Sequence, residues 1–386
     1  MEEYEKNNSF DWYRGTFTVY VRLSGTDSIH LGEGDTITLE ALAENQQQEI
    51  ERVMQMKCEN LHFVRELSFT VPEKIGTYQV ICMDYFQDQW DKIAEKYIPD
   101  EQYDAHLIVD DETSYPYGPE FYDEKTGKRV SAGCTGFFLY VAKKSEGIEK
   151  VCFDNESEKQ DSYYLKSKYN NDTYLLNGEP ILMNDAVELA EIFVSDFTET
   201  VDYPQDLDAG VAVAHQLDTG ETILEIVFRN LYQTLPICSM PPTVTDDITI
   251  EMFPNSVARA YLDETDTVNC FIAQCAFEDD QLVKQYDRIL TPSCAVRLLS
   301  ETLSDYTEYD VIGMELVYVP VLLGAEDPNP VGSTHREAAP WSSVCSYDIV
   351  KLTPYWAIYM DVTPTAEMYG LVDCETGKVE WINNQR

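Results

Sequence analysis

Basic residues are scarce in this chain. Its 386 residues carry 27 lysines and arginines against 70 aspartates and glutamates, a formal net charge of −43. A surface of that sign repels phosphate backbones and anionic headgroups, which argues against a nucleic-acid partner and against direct electrostatic attachment to a lipid surface. Cationic proteins, peptides or metal ions remain open, as does the plainer role of acidity in keeping a protein soluble. Long hydrophobic runs are missing too: no stretch of about 18 apolar residues occurs, so the sequence holds no membrane-spanning helix. Nor does it open on a basic, apolar signal peptide.

Signatures of chemistry are equally sparse. The chain has no CxxC, HExxH, GxSxG or P-loop. LGEGDTI, residues 31 to 37, contains GxG but lacks the third glycine of a dinucleotide fingerprint. The histidines are His30, His62, His106, His215 and His335, with no short-range ligand pair among them, so a zinc site would need distant loops. Cys270 and Cys275, on one strand, would point to opposite faces. The acidic strings LDETDT and VDDET lack the glycine and terminal glutamate of an EF-hand. The sequence therefore assigns no catalytic residue, no cofactor and no metal ligand.

What it has in quantity is apolar and aromatic surface: 44% hydrophobic residues, 12% aromatics and 26 tyrosines. That composition folds, and its tyrosines and β-branched residues favour strands. The ten cysteines are Cys58, Cys82, Cys134, Cys152, Cys238, Cys270, Cys275, Cys294, Cys345 and Cys374. Several lie in apolar runs such as QVICMDYF and VNCFIAQC, where cysteine acts as a small hydrophobe, so most are expected to be reduced. The start, MEEYEKNNS, is a polar tail with two readings: the loose N-terminus of a cytosolic protein, or the stalk of an exported one whose leader lies upstream. Sequons at Asn7, Asn155 and Asn171 matter only in a eukaryotic secretory pathway.

Periodicity sets an outline. FDWYRGTFTVYVRLSG alternates as a strand, with Phe17, Val19 and Val21 on one face. TLEALAENQQQEIERVMQMKC carries a helical stripe of Leu39, Leu42, Ala43, Ile50, Val53 and Met54, predicting the longest helix of the chain. ELSFTVPE, TYQVICMDYF and AHLIVDD read as strands, and QDQWDKIAEKYI as a short helix burying Trp90, Ile93, Ala94 and Tyr97. The polar interval 154 to 177 is the candidate boundary. Beyond it, MNDAVELAEIFVSDF predicts a helix capped by Asn184 or Asp185, with Ala186, Leu189, Ala190 and Phe193 buried. GVAVAHQ and ETILEIVFRNLY flank a turn, and TPSCAVRLLSETL is a helix capped by Thr291 with Pro292 at its first position. VIGMELVYVPVLL and YWAIYMDV are long strands. Connections this short suit antiparallel sheets rather than a doubly wound one. The expected fold is α+β, antiparallel sheets with helices on one face, in two tandem parts: a tail at 1–8, one domain at 9–165 and a second at 166–386.

Two D-x-x-T-G-K strings, FYDEKTGKRV at 121–130 and LVDCETGKVEW at 371–381, join alternating runs. Asp123 and Asp373 can accept backbone amides across a tight reversal, and the glycine can take positive φ, so both read as hairpins. HQLDTGETILEI holds Asp218-Thr219-Gly220, the tripeptide of aspartic peptidases. A single copy could form the carboxylate dyad only in a dimer, and its polar flanks favour a turn.

PYWAIYMDV at 354–362, followed by LVDCETGKVEW, resembles the last segment of PepSY-type and YycI-like extracellular domains of Gram-positive bacteria, in which a proline and aromatic strand precedes a VDA-x-TG hairpin. The likeness covers about a hundred C-terminal residues, and Cys374 stands where that family has a small residue. The resemblance implies a PepSY-like surface lipoprotein, tethered through a lipidated cysteine upstream and binding or regulating a protein or peptide without catalysis. A cytosolic globular protein of unknown ligand is the alternative, and a dimeric peptidase using Asp218 comes third.

Overall fold

The computed structural model describes residues 17–21, 31–32, 34–58, 60–64, 66–83, 87–98, 107–108, 120–133, 136–154, 158–165, 169–238, 244–245, 248–249, 257–273, 276–303, 308–322, 349–363 and 366–385. The chain begins with β1 (Phe17–Val21), β2 (Thr36–Thr38), α1 (Leu39–Glu44), α2 (Gln46–Met54), β3 (Leu61–Phe63) and β4 (Gly76–Cys82). Next come α3 (Gln87–Tyr97), β5 (Leu107–Ile108), β6 (Glu120–Asp123), β7 (Lys128–Ala132) and β8 (Phe138–Val141). A short α4 (Glu146–Glu149) continues as a π-helical turn (Lys150–Asp154) into β9 (Glu158–Tyr164). The hairpin β10 (Thr173–Leu176) and β11 (Glu179–Leu182) leads to α5 (Met183–Val201), β12 (Asp206–Gln216), β13 (Thr222–Tyr232) and β14 (Leu235–Pro236). Then follow β15 (Val244–Thr245), β16 (Ile248–Thr249), β17 (Val257–Leu262), β18 (Cys270–Ala273), β19 (Phe277–Gln285) and β20 (Arg288–Leu290). The last stretch is α6 (Pro292–Thr302), β21 (Tyr309–Leu322), β22 (Ile349–Thr363), β23 (Ala366–Asp373) and β24 (Val379–Gln385).

The class is α+β. An eight-stranded sheet runs β1-β24-β23-β22-β21-β3, with β4 paired to β22 and β19 to β4; a ten-stranded sheet runs β5-β6-β7-β8-β18-β17-β13-β12-β9, with β14 on β13. Among the described strands pairing is antiparallel except between β3 and β21, which are parallel, and an isolated parallel bridge joins Ile237 to Tyr318. The ten-stranded sheet is two meanders, β5 to β8 and β12 to β18, joined edge to edge where β8 meets β18, and each is preceded by a helix, α3 or α5.

Neither sheet follows a division at residue 165. β9 pairs with β12 across it, while β3 and β4 pair with β21 and β22. The chain leaves the eight-stranded sheet after β4, builds the ten-stranded one, and returns. The polar interval 154–177 that marked the boundary contains the edge strand β9, whose acidic and polar residues suit an edge.

Each sheet has a helix-covered face. Against the eight-stranded sheet, Leu42, Ile50 and Val53 of α1 and α2 and Leu298 and Leu299 of α6 pack on Leu316, Trp356, Ile358 and Val372. Gly370 of β23 lies so close under α6 that a Cβ there would come 2.5 Å from both δ-carbons of Leu299. α3 and α5 cover the other sheet side by side, and the rings of Phe138 and Phe197 stack at 4.5 Å. Helices are not confined to one face of the ten-stranded sheet. Ile148 and Val151, from α4 and its π turn, pack on the opposite face of the ten-stranded sheet, against Leu139, Ile223 and Tyr261.

Local predictions meet varied outcomes. Thr291 Oγ1 caps Cys294 N at 3.1 Å with Pro292 in the first turn, and Trp90, Ile93, Ala94 and Tyr97 are buried. The helix expected as the longest is broken at Asn45, whose side chain bonds back to Ala41 O at 2.7 Å, and α5 is longer. At α5 neither Asn184 nor Asp185 caps: Leu182 is the cap residue, and the orphan amide of Asn184 is met by Asn171 Oδ1 at 2.8 Å. Residues 66 to 73 form no strand; Phe69 instead meets the Trp356 ring edge-on at 5.2 Å. Among the described residues, no helix is long and apolar enough to cross a membrane.

Candidate functional site

Both D-x-x-T-G-K strings are hairpin corners. Asp373 Oδ1 accepts the amides of Glu375 at 2.9 Å and Thr376 at 2.7 Å, Thr376 Oγ1 accepts Lys378 N, and Gly377 sits at φ +73°. Asp123 is built alike: Oδ1 accepts Lys125 N at 3.0 Å, Oδ2 accepts the Thr126 hydroxyl at 2.8 Å, and Gly127 also has φ +73°. A carboxylate whose oxygens accept these local donors shapes the reversal. Asp218, Thr219 and Gly220 are exposed in the β12–β13 turn, with Gly220 at φ +86° and Thr219 Oγ1 bonded to Glu221 Oε2 at 3.0 Å.

The other singled-out residues scatter. His62 is half-exposed beside Glu308; His30, His106 and His335 lie outside the described residues, as do Cys134, Cys275, Cys345, Asn7, Asn155 and the string VDDET. In LDETDT, Glu264 pairs with Lys143 and Asp263 accepts from Asn269. In LGEGDTI, Asp35 Oδ2 accepts Gly32 N at 2.7 Å, a turn of its own. Among the described residues, no group of three or more His, Cys, Asp and Glu stands ready to hold a metal.

His215 is the exception, because the register brings it into a charged strip. Opposite residues of an antiparallel pair share a face. Across the ten-stranded sheet the partners run Val213 to Glu225, Glu225 to Tyr261, Tyr261 to Cys270, Cys270 to Val141 and Val141 to Arg129, so this row projects away from α3 and α5. Glu225 is 1% exposed. Its Oε2 lies 2.7 Å from His215 Nε2, and its Oε1 accepts from Arg259 at 2.8 Å and from the Tyr261 hydroxyl at 3.3 Å. A buried carboxylate needs such donors, since desolvation without them costs several kcal/mol, on the order of 5. Burial, with Cys152 and Glu225 nearby, pushes the Tyr261 phenol well above its ordinary range. The Cys270 thiol is also raised, first by its hydrogen bond with Cys152 and then by burial.

Four residues beyond Glu225, on the same face of β13, Arg229 carries the strip across to the eight-stranded sheet. Its guanidinium grips Glu315 of β21 through both terminal nitrogens and lies 3.5 Å from Asp208, while the Tyr359 hydroxyl donates to Glu315 at 2.8 Å. A bulge between Ala209 and Val211 places Gly210 where a Cβ would come 2.7 Å from Arg229 Nε. Cys238 N bonds to Tyr318 O at 2.7 Å, and on the helix-covered face of the eight-stranded sheet the rings of Tyr78, Tyr232 and Tyr318 meet edge to face at 5.1 to 5.9 Å. The strip stitches the two sheets along the faces turned away from α3, α5 and α6.

No sequence motif marks Glu225, Arg229, Arg259 or Glu315. The signal was present: a glutamate and an arginine at even spacing inside the apolar run ETILEIVFRNLY must share one strand face. Their partners come from strands distant in sequence, which no local pattern names.

No family model and no curated protein matches the chain. A solved structure that does match is that of an uncharacterized protein from Eubacterium rectale ATCC 33656, with a TM-score of 0.55 and 11% identity, covering 86% of this chain and 98% of that one. At that identity the likeness carries the fold alone.

Proposed function

We propose that the chain is a non-catalytic binding module of a Gram-positive cell surface, tethered there as a lipoprotein and engaging a protein or peptide partner. The observation that carries this reading is the C-terminal unit, in which α6 lies across the β21–β24 meander and the Asp373 hairpin joins its last two strands. The aromatic strand β22 followed by the Asp373 hairpin is the order the PepSY and YycI resemblance leads one to expect. The buried charges favour the same reading, since Glu225, Arg229 and Glu315 serve to join strands and sheets. A net charge of −43 suits a partner with a basic face.

The test is placement and attachment in the encoding bacterium. Protease treatment of intact cells should degrade the protein, and a labelled fatty acid should be incorporated into its precursor. Recovery of an unlabelled, protease-protected protein from the soluble cell fraction would overturn the reading. A cytosolic protein is the second reading, favoured by the free thiols at Cys58, Cys152, Cys238, Cys270, Cys294 and Cys374. For the peptidase alternative, replacing Asp218 by Asn should leave peptide hydrolysis at background; activity that is present in the native protein and lost on replacement would establish it.

A further inference from the structure

Two thiols distant in sequence meet beneath the π-helical turn. Cys270 is fully buried in β18 opposite Tyr261 of β17, and Cys152, half-buried in the turn, packs onto the apolar cluster of Leu139, Ile148, Val151, Ile223 and Tyr261 that holds it. Cys152 lies near enough to raise the Cys270 thiol. π-helical turns recur at functional sites because the wider winding aims a side chain that a regular helix would turn elsewhere. Here that side chain is a thiol with partial access to solvent, set against a second thiol that has none.

We propose that Cys152 and Cys270 form an oxidisable dithiol site, which a small disulfide such as oxidised glutathione converts to a protein disulfide stapling the π turn to β18. The Cys152 thiolate attacks one sulfur of the oxidant, whose S–S bond breaks and releases one glutathione thiolate. The Cys270 thiolate then attacks Cys152 Sγ in the mixed disulfide and expels the second glutathione. Two protein thiols lose two electrons and two protons, and one small disulfide becomes two small thiols. Burial disfavours the Cys270 thiolate, so the second step is the slow one and the mixed disulfide accumulates first.

The experiment incubates the purified full-length protein with oxidised glutathione, quenches by alkylation at intervals and maps the peptides by mass spectrometry. A glutathione adduct on Cys152 should rise and then decay into a Cys152–Cys270 linked peptide. Cys270→Ser should stop at the adduct, and Cys152→Ser should give neither species. Amide exchange across residues 146–154 should slow on oxidation. The proposal is overturned by a stable adduct with alkylatable Cys270, by cross-links of either thiol to another cysteine, by no modification of either, or by unchanged exchange. The outcome is independent of where in the cell the protein resides.

Discussion

Replacing Glu225 by leucine tests the central physical claim about the charged strip. The substitution keeps side-chain volume in a site that is 1% exposed and removes the acceptor shared by His215, Arg259 and Tyr261. Deleting one partner of a buried ionic pair costs about 3–5 kcal/mol. Arg259 is about a quarter exposed, so its guanidinium can turn toward water, which points to the lower end, about 3 kcal/mol. With a urea slope of about 3 kcal/mol per molar, this lowers the unfolding midpoint by about 1 M. Tryptophan fluorescence and far-ultraviolet dichroism, followed together, would register the shift. The companion variant Glu225→Leu, Arg259→Met, His215→Leu should recover most of the loss, because an apolar cluster of similar volume carries no desolvation cost. An unshifted midpoint for the single variant, or a triple variant as weak as the single one, would refute the reasoning.

Three further outcomes follow from the geometry. Gly370→Ala should destabilise by about 1–3 kcal/mol through overpacking against Leu299; Leu299→Ala, costing about 2–5 kcal/mol alone, should relieve part of it, and strict additivity in the double-mutant cycle would contradict the close approach of α6 to β23. Gly377→Ala should cost more than Gly220→Ala, since both have positive φ but a Cβ at 377 meets Leu298 at 2.9 Å while one at 220 meets nothing, and equal melting shifts would count against that contrast. Burial pushes the phenols of Tyr163 and Tyr286 up to about 12, so the folded state favours their neutral form. That stability is complete below the ordinary phenol value of 10 and is lost as pH rises through about 12. Tyrosinate absorbance should therefore lag in the native protein and complete only with alkaline unfolding; titration of every tyrosine near 10 with the fold intact would dispose of the argument.

By itself the sequence determined what depends on neighbours in the chain. Asp373 and Gly377 specify a hairpin because acceptor and φ-permissive residue stand within one turn of each other, and the same string made the same corner at Asp123 and Gly127. Thr291 and Pro292 marked a helix start, and the stripe of Trp90, Ile93, Ala94 and Tyr97 marked a buried face, since each rests on one helical turn. Asn45 shows the limit: a continuous stripe ran over a break where the Asn45 side chain donates to the Ala41 carbonyl. Only the tertiary structure decided that β3 and β4 pair with β21 and β22, that Arg229 crosses to Glu315, and that Cys152 packs on the cluster holding Cys270. Strand partners far apart in the chain are selected by the joint burial of whole faces, and many alternation patterns allow the same local strands in several orders. Register then places Glu225 among its donors as a consequence of that choice, which is why the charged strip became visible in three dimensions and the hairpins were visible in one.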